Sequence, residues 1–124
     1  FFAHKKIFED NLYFDENLHA CEDYDLWLRI LLKYKIHLIN EELINKYAGH
    51  ENQLSFSSKL IDTYRISALE KHLDSKYKKE VIEELIKKTT ILLKGAKKHQ
   101  NTIVLDKYGK KLKNYEALIN PNTQ

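Results

Sequence analysis

The chain has 124 residues and a formal net charge of +3, and 43% of its residues are hydrophobic, which excludes wholesale disorder. Three glycines and one proline are too few for a turn-rich all-β protein, so the composition favours long helices. The single cysteine excludes an intrachain disulfide, and no apolar run approaches the length of a membrane span.

The charge is distributed unevenly along the chain. Residues 1–50 contain 6 basic and 9 acidic residues, whereas residues 51–124 contain 15 basic and 9 acidic residues. This change in composition predicts two domains, 1–56 and 57–124. The basic part is expected to meet an acidic partner, a nucleic acid or an anionic membrane surface, or to be a solvated lysine-rich helical surface. The lack of methionine and the apolar start predict that the chain is a piece of a longer protein.

The first part of the sequence mixes strand and helix patterns. The aromatic residues of 1–8 predict a short strand, and residues 9–21 predict a loop. Residues 22–34 predict a helix that is apolar around most of its girth, so we expect it to be largely buried, Trp27 included. Residues 35–47 alternate apolar and polar side chains at first and predict a strand or extended segment.

The second part of the sequence predicts three amphipathic helices. Serines that can cap a helix open the segment 55–73, and apolar residues recur every three or four positions within it. The segment 75–100 is the longest predicted helix and carries a continuous apolar stripe. The segment 102–119 has the same spacing and predicts a third helix, despite Gly109.

Three acidic residues stand at the start of the predicted helix 22–34. Glu22, Asp23 and Asp25 lie in its first turn, where the helix dipole and the unpaired backbone N–H groups favour negative charge. Arg29 follows Asp25 by four positions, so the two side chains are expected to pair along one face. The cluster therefore has an ordinary structural interpretation as a helix N-terminus and a functional one as a source of a catalytic base.

Four short blocks around this cluster occur in a recognisable order. They are Phe14-Asp15-Glu16, Glu22-Asp23, Asp25-Leu26-Trp27-Leu28-Arg29 and Tyr47-Ala48-Gly49-His50. This order resembles the C-terminal half of the catalytic domain of family 2 glycosyltransferases, over roughly residues 1–58. The family usually has an arginine at the position of Ala48, and the segments after residue 58 carry none of its motifs.

The resemblance implies a fold and an activity. The fold would be α+β and mostly helical, a partial GT-A C-terminal half with short strands and a buried helix, followed by a three-helix extension. The activity would be inverting transfer of a sugar from a nucleotide-sugar to an acceptor hydroxyl, in a bacterial-type enzyme of cell-surface polysaccharide synthesis. Asp23 would be the catalytic base, and Glu22 would position the acceptor or support Asp23. The substrate-binding residues would be Tyr24, Asp15, Arg29 and Gln53.

The resemblance also implies a cofactor and partners. A divalent cation, Mg²⁺ or Mn²⁺, would act in the complete enzyme, and His50 would be a further metal ligand or would contact the diphosphate. No metal is expected on this piece alone, which would lack the donor-binding half. The partners would be a nucleotide-sugar donor and a glycan or lipid-linked acceptor, in the cytoplasm or at the inner face of the membrane. A homo-oligomer and a peripheral membrane contact are further expectations.

Three other classes of function are weighed against the transferase, and one of them remains as the alternative. A non-catalytic helical interaction domain would use the amphipathic segments to dock a partner. Nucleic-acid binding is not expected, because the lysines do not select one helix face and acidic residues interrupt them. A nucleophilic hydrolase is poorly supported, since Cys21 has only His19 nearby and no glycine-rich turn accompanies it.

Overall fold

The computed structural model describes residues 3–10, 12–45, 47 and 61–121, and all regular structure within them is helical. The helices are α1 (Lys6–Glu9), α2 (Glu22–Lys33), α3 (Ile61–Glu70), α4 (Lys78–Lys98) and α5 (Thr102–Ile119). The chain divides into two compact units, Phe1–Ile61 (the first unit) and Asp62–Gln124 (the second unit). The predicted domain boundary between residues 56 and 57 lies outside the described residues and stays a prediction.

The expected α+β fold is wrong, because residues 3–10, 12–45, 47 and 61–121 contain helices and no strand. A short helix, Lys6–Glu9, occupies the end of the first predicted strand, and residues 35–45 have no regular structure. A strand is stable only when a neighbouring strand pairs its backbone N–H and C=O groups. The alternation of aliphatic residues in 35–45 therefore does not produce a strand, because the described residues provide no neighbouring strand to pair with it. The expected partial GT-A architecture requires these strands, so that prediction is wrong as well.

A small aliphatic cluster forms the core of the first unit. Leu26 and Ile30 lie one turn apart on α2, and both pack with Leu12 from the preceding loop. Ile7 of α1 and Tyr34 at the end of α2 cover the edges of this cluster. The loop and the short α1 are therefore held on one side of α2 by few apolar side chains.

Two polar links reinforce this small core. The Tyr34 hydroxyl donates to the Asp10 carboxylate, which joins the residue after α1 to the residue after α2. The Arg29 guanidinium donates to the Asp25 carboxylate and to the Tyr13 backbone carbonyl, which ties the loop to α2. Arginine suits this role because its planar fork of N–H groups can serve two acceptors at once.

A helical stripe of buried residues forms the core of the second unit. On α4 the buried positions recur with the period of the helix, so one face is apolar along its whole length, as predicted. They are Val81, Ile82, Leu85, Thr89, Leu92 and Ala96. The partner helix α5 buries Val104, Tyr108 and Tyr115, and α3 buries Ile66, Ala68 and Leu69. The three predicted helices are thus confirmed within the described residues, with α5 matching 102–119 at both ends. Residues 55–60 of the first predicted segment lie outside the described residues, and α3 ends at Glu70, three residues before the predicted end.

The turn between α4 and α5 sets the two helices antiparallel. Gln100 adopts a left-handed conformation with φ 54°, and the Asn101 N–H donates to the Ala96 carbonyl at 2.9 Å, which closes α4 in a Schellman-type end. The Asn101 side chain then accepts from the Val104 N–H at 3.2 Å and caps α5. Helix α4 therefore ends at Lys98, two residues before the predicted end.

A partly buried polar cluster accompanies the apolar core of the second unit. The Glu70 carboxylate accepts from the Lys111 ammonium at 2.6 Å and from the Tyr115 hydroxyl. Burial, together with the hydrogen bond to Glu70, raises the pKa of Tyr115 well above its usual value of 10.0. This cluster links the end of α3 to α5.

Candidate functional site

The candidate site begins with a sharp change of direction before α2. Cys21 adopts a left-handed conformation with φ 60° and ψ 25°, and its carbonyl accepts the first helical hydrogen bond from the Asp25 N–H at 3.0 Å. Ala20 and Cys21 are both buried, so the chain turns with its side chains inside. A left-handed conformation is uncommon for a residue other than glycine, and such residues concentrate at functional sites. The acidic residues follow directly on the first turn of α2.

Helix geometry sends two of the acidic residues in opposite directions. Residues two positions apart on an α-helix point about 200° apart around the axis. Asp25 is accordingly fully buried, whereas Asp23 is exposed and Glu22 is half-buried. The acidic cluster thus combines a carboxylate inside the first unit with one that faces solvent.

The buried carboxylate belongs to an ion pair. The Nε and Nη2 atoms of Arg29 both lie 3.0 Å from the Asp25 Oδ2, which confirms the expected pairing along one helix face. The same guanidinium donates to the Tyr13 carbonyl. Arg29 therefore holds the loop against α2 in this structure, and the substrate-binding role expected for it stays a prediction.

The exposed carboxylate has the accessibility that a base needs. The Asp23 Oδ1 accepts from the Tyr24 backbone N–H at 2.7 Å, which orients the carboxylate at the positive end of the helix dipole. The side chain faces water. A carboxylate so placed can accept a proton from a hydroxyl group that comes within hydrogen-bonding distance.

An exposed apolar surface continues the Asp23 face along α2. Trp27 follows Asp23 by one turn and is 38% exposed, and Leu31 follows Trp27 by a further turn and is 44% exposed. The expectation of a largely buried helix is therefore wrong. The helix is apolar on several sides, but the first unit packs only the Leu26 and Ile30 side against its core. Tyr24, the residue expected to stack on a sugar, is half-buried.

The positions of the other predicted binding residues do not test the roles expected for them. Asp15 is half-buried, and its Oδ1 accepts from the Asn17 N–H at 3.0 Å within a turn. Tyr47 is 79% exposed. Gln53 and His50 lie outside the described residues. The roles of Asp15, Gln53 and His50 stay predictions.

The described residues offer no ready metal centre. Within residues 3–10, 12–45, 47 and 61–121, no group of three or more His, Cys, Asp or Glu side chains is arranged to hold an ion. Cys21, the single cysteine of the chain, is buried. The divalent cation implied by the resemblance stays a prediction.

Comparison with known proteins adds no relative. No protein-family model, no curated protein and no solved structure matches the chain. None of the described helices has both the length and the apolar character needed to cross a membrane. The resemblance to family 2 glycosyltransferases therefore depends on the order of the four sequence blocks.

Proposed function

We propose that this chain supplies the acceptor side and the catalytic base of an inverting glycosyltransferase that uses a nucleotide-sugar. The proposal is supported by the order of the blocks from Phe14 to His50. The single observation that carries it is the division of the acidic cluster, in which Asp25 is held by Arg29 while Asp23 is exposed on the first turn of α2. If the acidic cluster had only a structural role, acidic residues that stabilise the N-terminus of α2 would be enough.

Asp23 would act on the acceptor hydroxyl. The hydroxyl oxygen forms a new bond to the anomeric carbon of the donor sugar while the bond from that carbon to the diphosphate oxygen breaks. The hydroxyl proton passes to the Asp23 carboxylate, and the nucleoside diphosphate departs with the electron pair of the broken bond. Attack from the face opposite the leaving group inverts the anomeric carbon. Proton transfer to a positioned carboxylate contributes about 10²–10⁴-fold in rate.

The neighbouring residues have roles that follow from their positions. Glu22, half-buried beside Asp23, would accept a hydrogen bond from a second hydroxyl of the acceptor and so orient it. The Asp25–Arg29 pair would fix the first turn of α2, so that Asp23 keeps one orientation. The substrates are a nucleotide-sugar and a glycan or lipid-linked acceptor, and the reaction is placed in the cytoplasm or at the inner face of the membrane.

The test is an Asp23→Asn variant of the complete enzyme that contains this chain and a donor-binding part. We expect kcat for sugar transfer to fall at least about 100-fold, because asparagine cannot accept the proton. The KM for the nucleotide-sugar should stay within about twofold, because Asp23 acts on the acceptor. Asp74→Asn changes an exposed acid of the second unit by the same atoms and should leave both constants unchanged. Far-UV circular dichroism of each variant checks that it is folded.

Unchanged transfer in Asp23→Asn would remove Asp23 as the base. Absence of transfer with every nucleotide-sugar tried would instead favour the second candidate, a non-catalytic helical interaction domain. The all-helical structure of residues 3–10, 12–45, 47 and 61–121 supports that candidate, since its second unit is a helical hairpin packed with a third helix.

A further inference from the structure

The positive charge of the second unit is concentrated at one end. In the hairpin of α4 and α5, residues 94–110 contain 5 basic residues and 1 acidic residue, whereas residues 78–93 and 111–119 together contain 6 basic and 4 acidic residues. Because α4 and α5 are antiparallel and joined by residues 99–101, the end of α4 and the start of α5 lie together. We call this end of the hairpin the basic end. Its members are Lys94, Lys97, Lys98, Ile103, Lys107 and Lys110.

Apart from Lys110, which pairs with Asp106 at 3.1 Å, the lysines of the basic end are available to a partner. Lys94, Lys97 and Lys98 are all exposed, and among the residues that the structure describes none of the three has a carboxylate within ion-pairing distance. Lys107 is exposed beside them, with its ammonium 5.6 Å from the centre of the Tyr108 ring. At the opposite end of α4, by contrast, Lys79 lies 4.0 Å from Glu83. The basic end therefore presents charge that the described chain does not neutralise.

Helix stabilisation explains only part of this charge. Lys97 and Lys98 lie in the last turn of α4, where cations complement the helix dipole. The first turn of α5 has no acidic residue, although acids would be favourable there. The positive charge thus continues past the point at which the dipole of α4 accounts for it.

Exposed aliphatic side chains accompany these lysines. Ile103, on the first turn of α5, is 79% exposed, and Ile91, one turn before Lys94 and two turns before Lys98 on the outer face of α4, is 52% exposed. The aromatic residues of α5, Tyr108 and Tyr115, are buried instead. Lysines with exposed aliphatic residues suit the boundary between lipid headgroups and acyl chains, where the charges meet anionic headgroups.

We infer that the basic end docks the second unit onto an anionic lipid bilayer surface. A nucleic acid is the weaker match, because its binding sites combine positive charge with exposed aromatic rings on which bases stack. The only arginine of residues 62–124, Arg65, lies outside the basic end and pairs with Asp62 at 3.0 Å. Lysines act as point charges and need no fixed geometry on a fluid surface of headgroups. This inference does not depend on the proposed transferase activity.

The test is co-sedimentation of the 124-residue chain with phosphatidylcholine vesicles that contain about a third phosphatidylserine. We expect binding to these vesicles, little binding to pure phosphatidylcholine vesicles, and loss of binding as NaCl rises from about 0.1 M to about 0.5 M. The triple variant Lys94→Gln, Lys97→Gln, Lys98→Gln should lower the partition coefficient at least about tenfold.

A matched control separates the basic end from net charge. Lys76→Gln, Lys78→Gln, Lys79→Gln removes the same three charges near the start of α4, where the side chains are also exposed, and should lower binding less than about threefold. Ile103→Asn should weaken vesicle binding without changing its salt dependence. Circular dichroism checks that all variants keep their helices.

Three results would overturn the inference. The first is no binding of the wild-type chain to the anionic vesicles at low salt. The second is an equal loss of binding in the two triple variants, which would indicate attraction by net charge alone. The third is tighter binding to single-stranded RNA or DNA than to vesicles at the same salt concentration, with binding reduced by the Lys94, Lys97 and Lys98 substitutions, which would make the basic end a nucleic-acid surface.

Discussion

The two units of this protein are held together by different means. The first unit has a cluster of three buried aliphatic side chains around α2, to which the Asp25–Arg29 and Asp10–Tyr34 links add directional contacts. The second unit buries a stripe of α4 that runs from Val81 to Ala96 and packs it with α5. Where a long amphipathic helix supplies the core, apolar packing fixes most of the arrangement, and the Glu70 cluster adds a polar link. Where a helix supplies only two core residues, hydrogen bonds and an ion pair contribute a larger share of the contacts that hold the unit together.

The strongest way to challenge this contrast is a cavity in the second unit. Leu85 on α4 is fully buried, so Leu85→Ala should lower the free energy of unfolding of the second unit by about 3 kcal/mol. Ile91→Ala on the same helix, where the side chain is 52% exposed, should change it by less than about 1 kcal/mol. Urea denaturation followed by far-UV circular dichroism measures both. Similar losses in the two variants would show that the buried stripe is not the core.

A smaller effect is expected from the buried ion pair of the first unit. Asp25→Asn should cost about 2 kcal/mol, because it leaves the Arg29 guanidinium, which is 25% exposed, without its charged partner. Trp27 is the only tryptophan of the chain and lies on α2, so its fluorescence during urea denaturation reports this unit.

The matched variant Asp23→Asn changes the exposed acid two positions earlier on the same helix. It should alter the free energy of unfolding by about 0.5 kcal/mol or less. If Asp23→Asn destabilised the first unit as much as Asp25→Asn, the division of the acidic cluster into a structural and an available carboxylate would be wrong.

The smallest effect is a pH dependence in the second unit. The pKa of Tyr115 is raised in the folded state above the 10.0 of the unfolded chain, so this stabilisation is complete below pH 10 and is lost as the pH rises above it. Tyr115→Phe removes the ionising hydroxyl and should make the alkaline fall of the unfolding free energy less steep. Burial also raises the pKa of Tyr108, so part of the fall should remain. Tyr77→Phe, at an exposed tyrosine, should leave the slope unchanged, and an unaltered slope in Tyr115→Phe would count against the Glu70 cluster.

The sequence predicted the helices of both units more successfully than the packing of the first. Apolar residues every three or four positions placed α4 within three residues of each of its ends, and α5 without error. Gln100 adopts the left-handed conformation that ends α4 two residues before the predicted end. Glycine is the usual sequence signal for such a helix end, and position 100 has glutamine instead. In the candidate site the Asp25–Arg29 pair followed from a spacing of four residues. The exposure of Trp27 did not follow from the sequence, because a helix that is apolar on several sides does not indicate which side finds a partner.

By itself the sequence determined the local features of this protein: the positions of the long helices, the acidic first turn of α2 and the excess of positive charge after residue 93. These depend on residues close together along the chain, whose spacing is fixed by the geometry of the helix. Only the tertiary structure decided that residues 35–45 form no strand, that Asp25 is buried while Asp23 faces solvent, and that Trp27 is exposed. Each of these depends on whether a distant segment packs against the residue, and burial or pairing of that kind is a property of the whole folded unit.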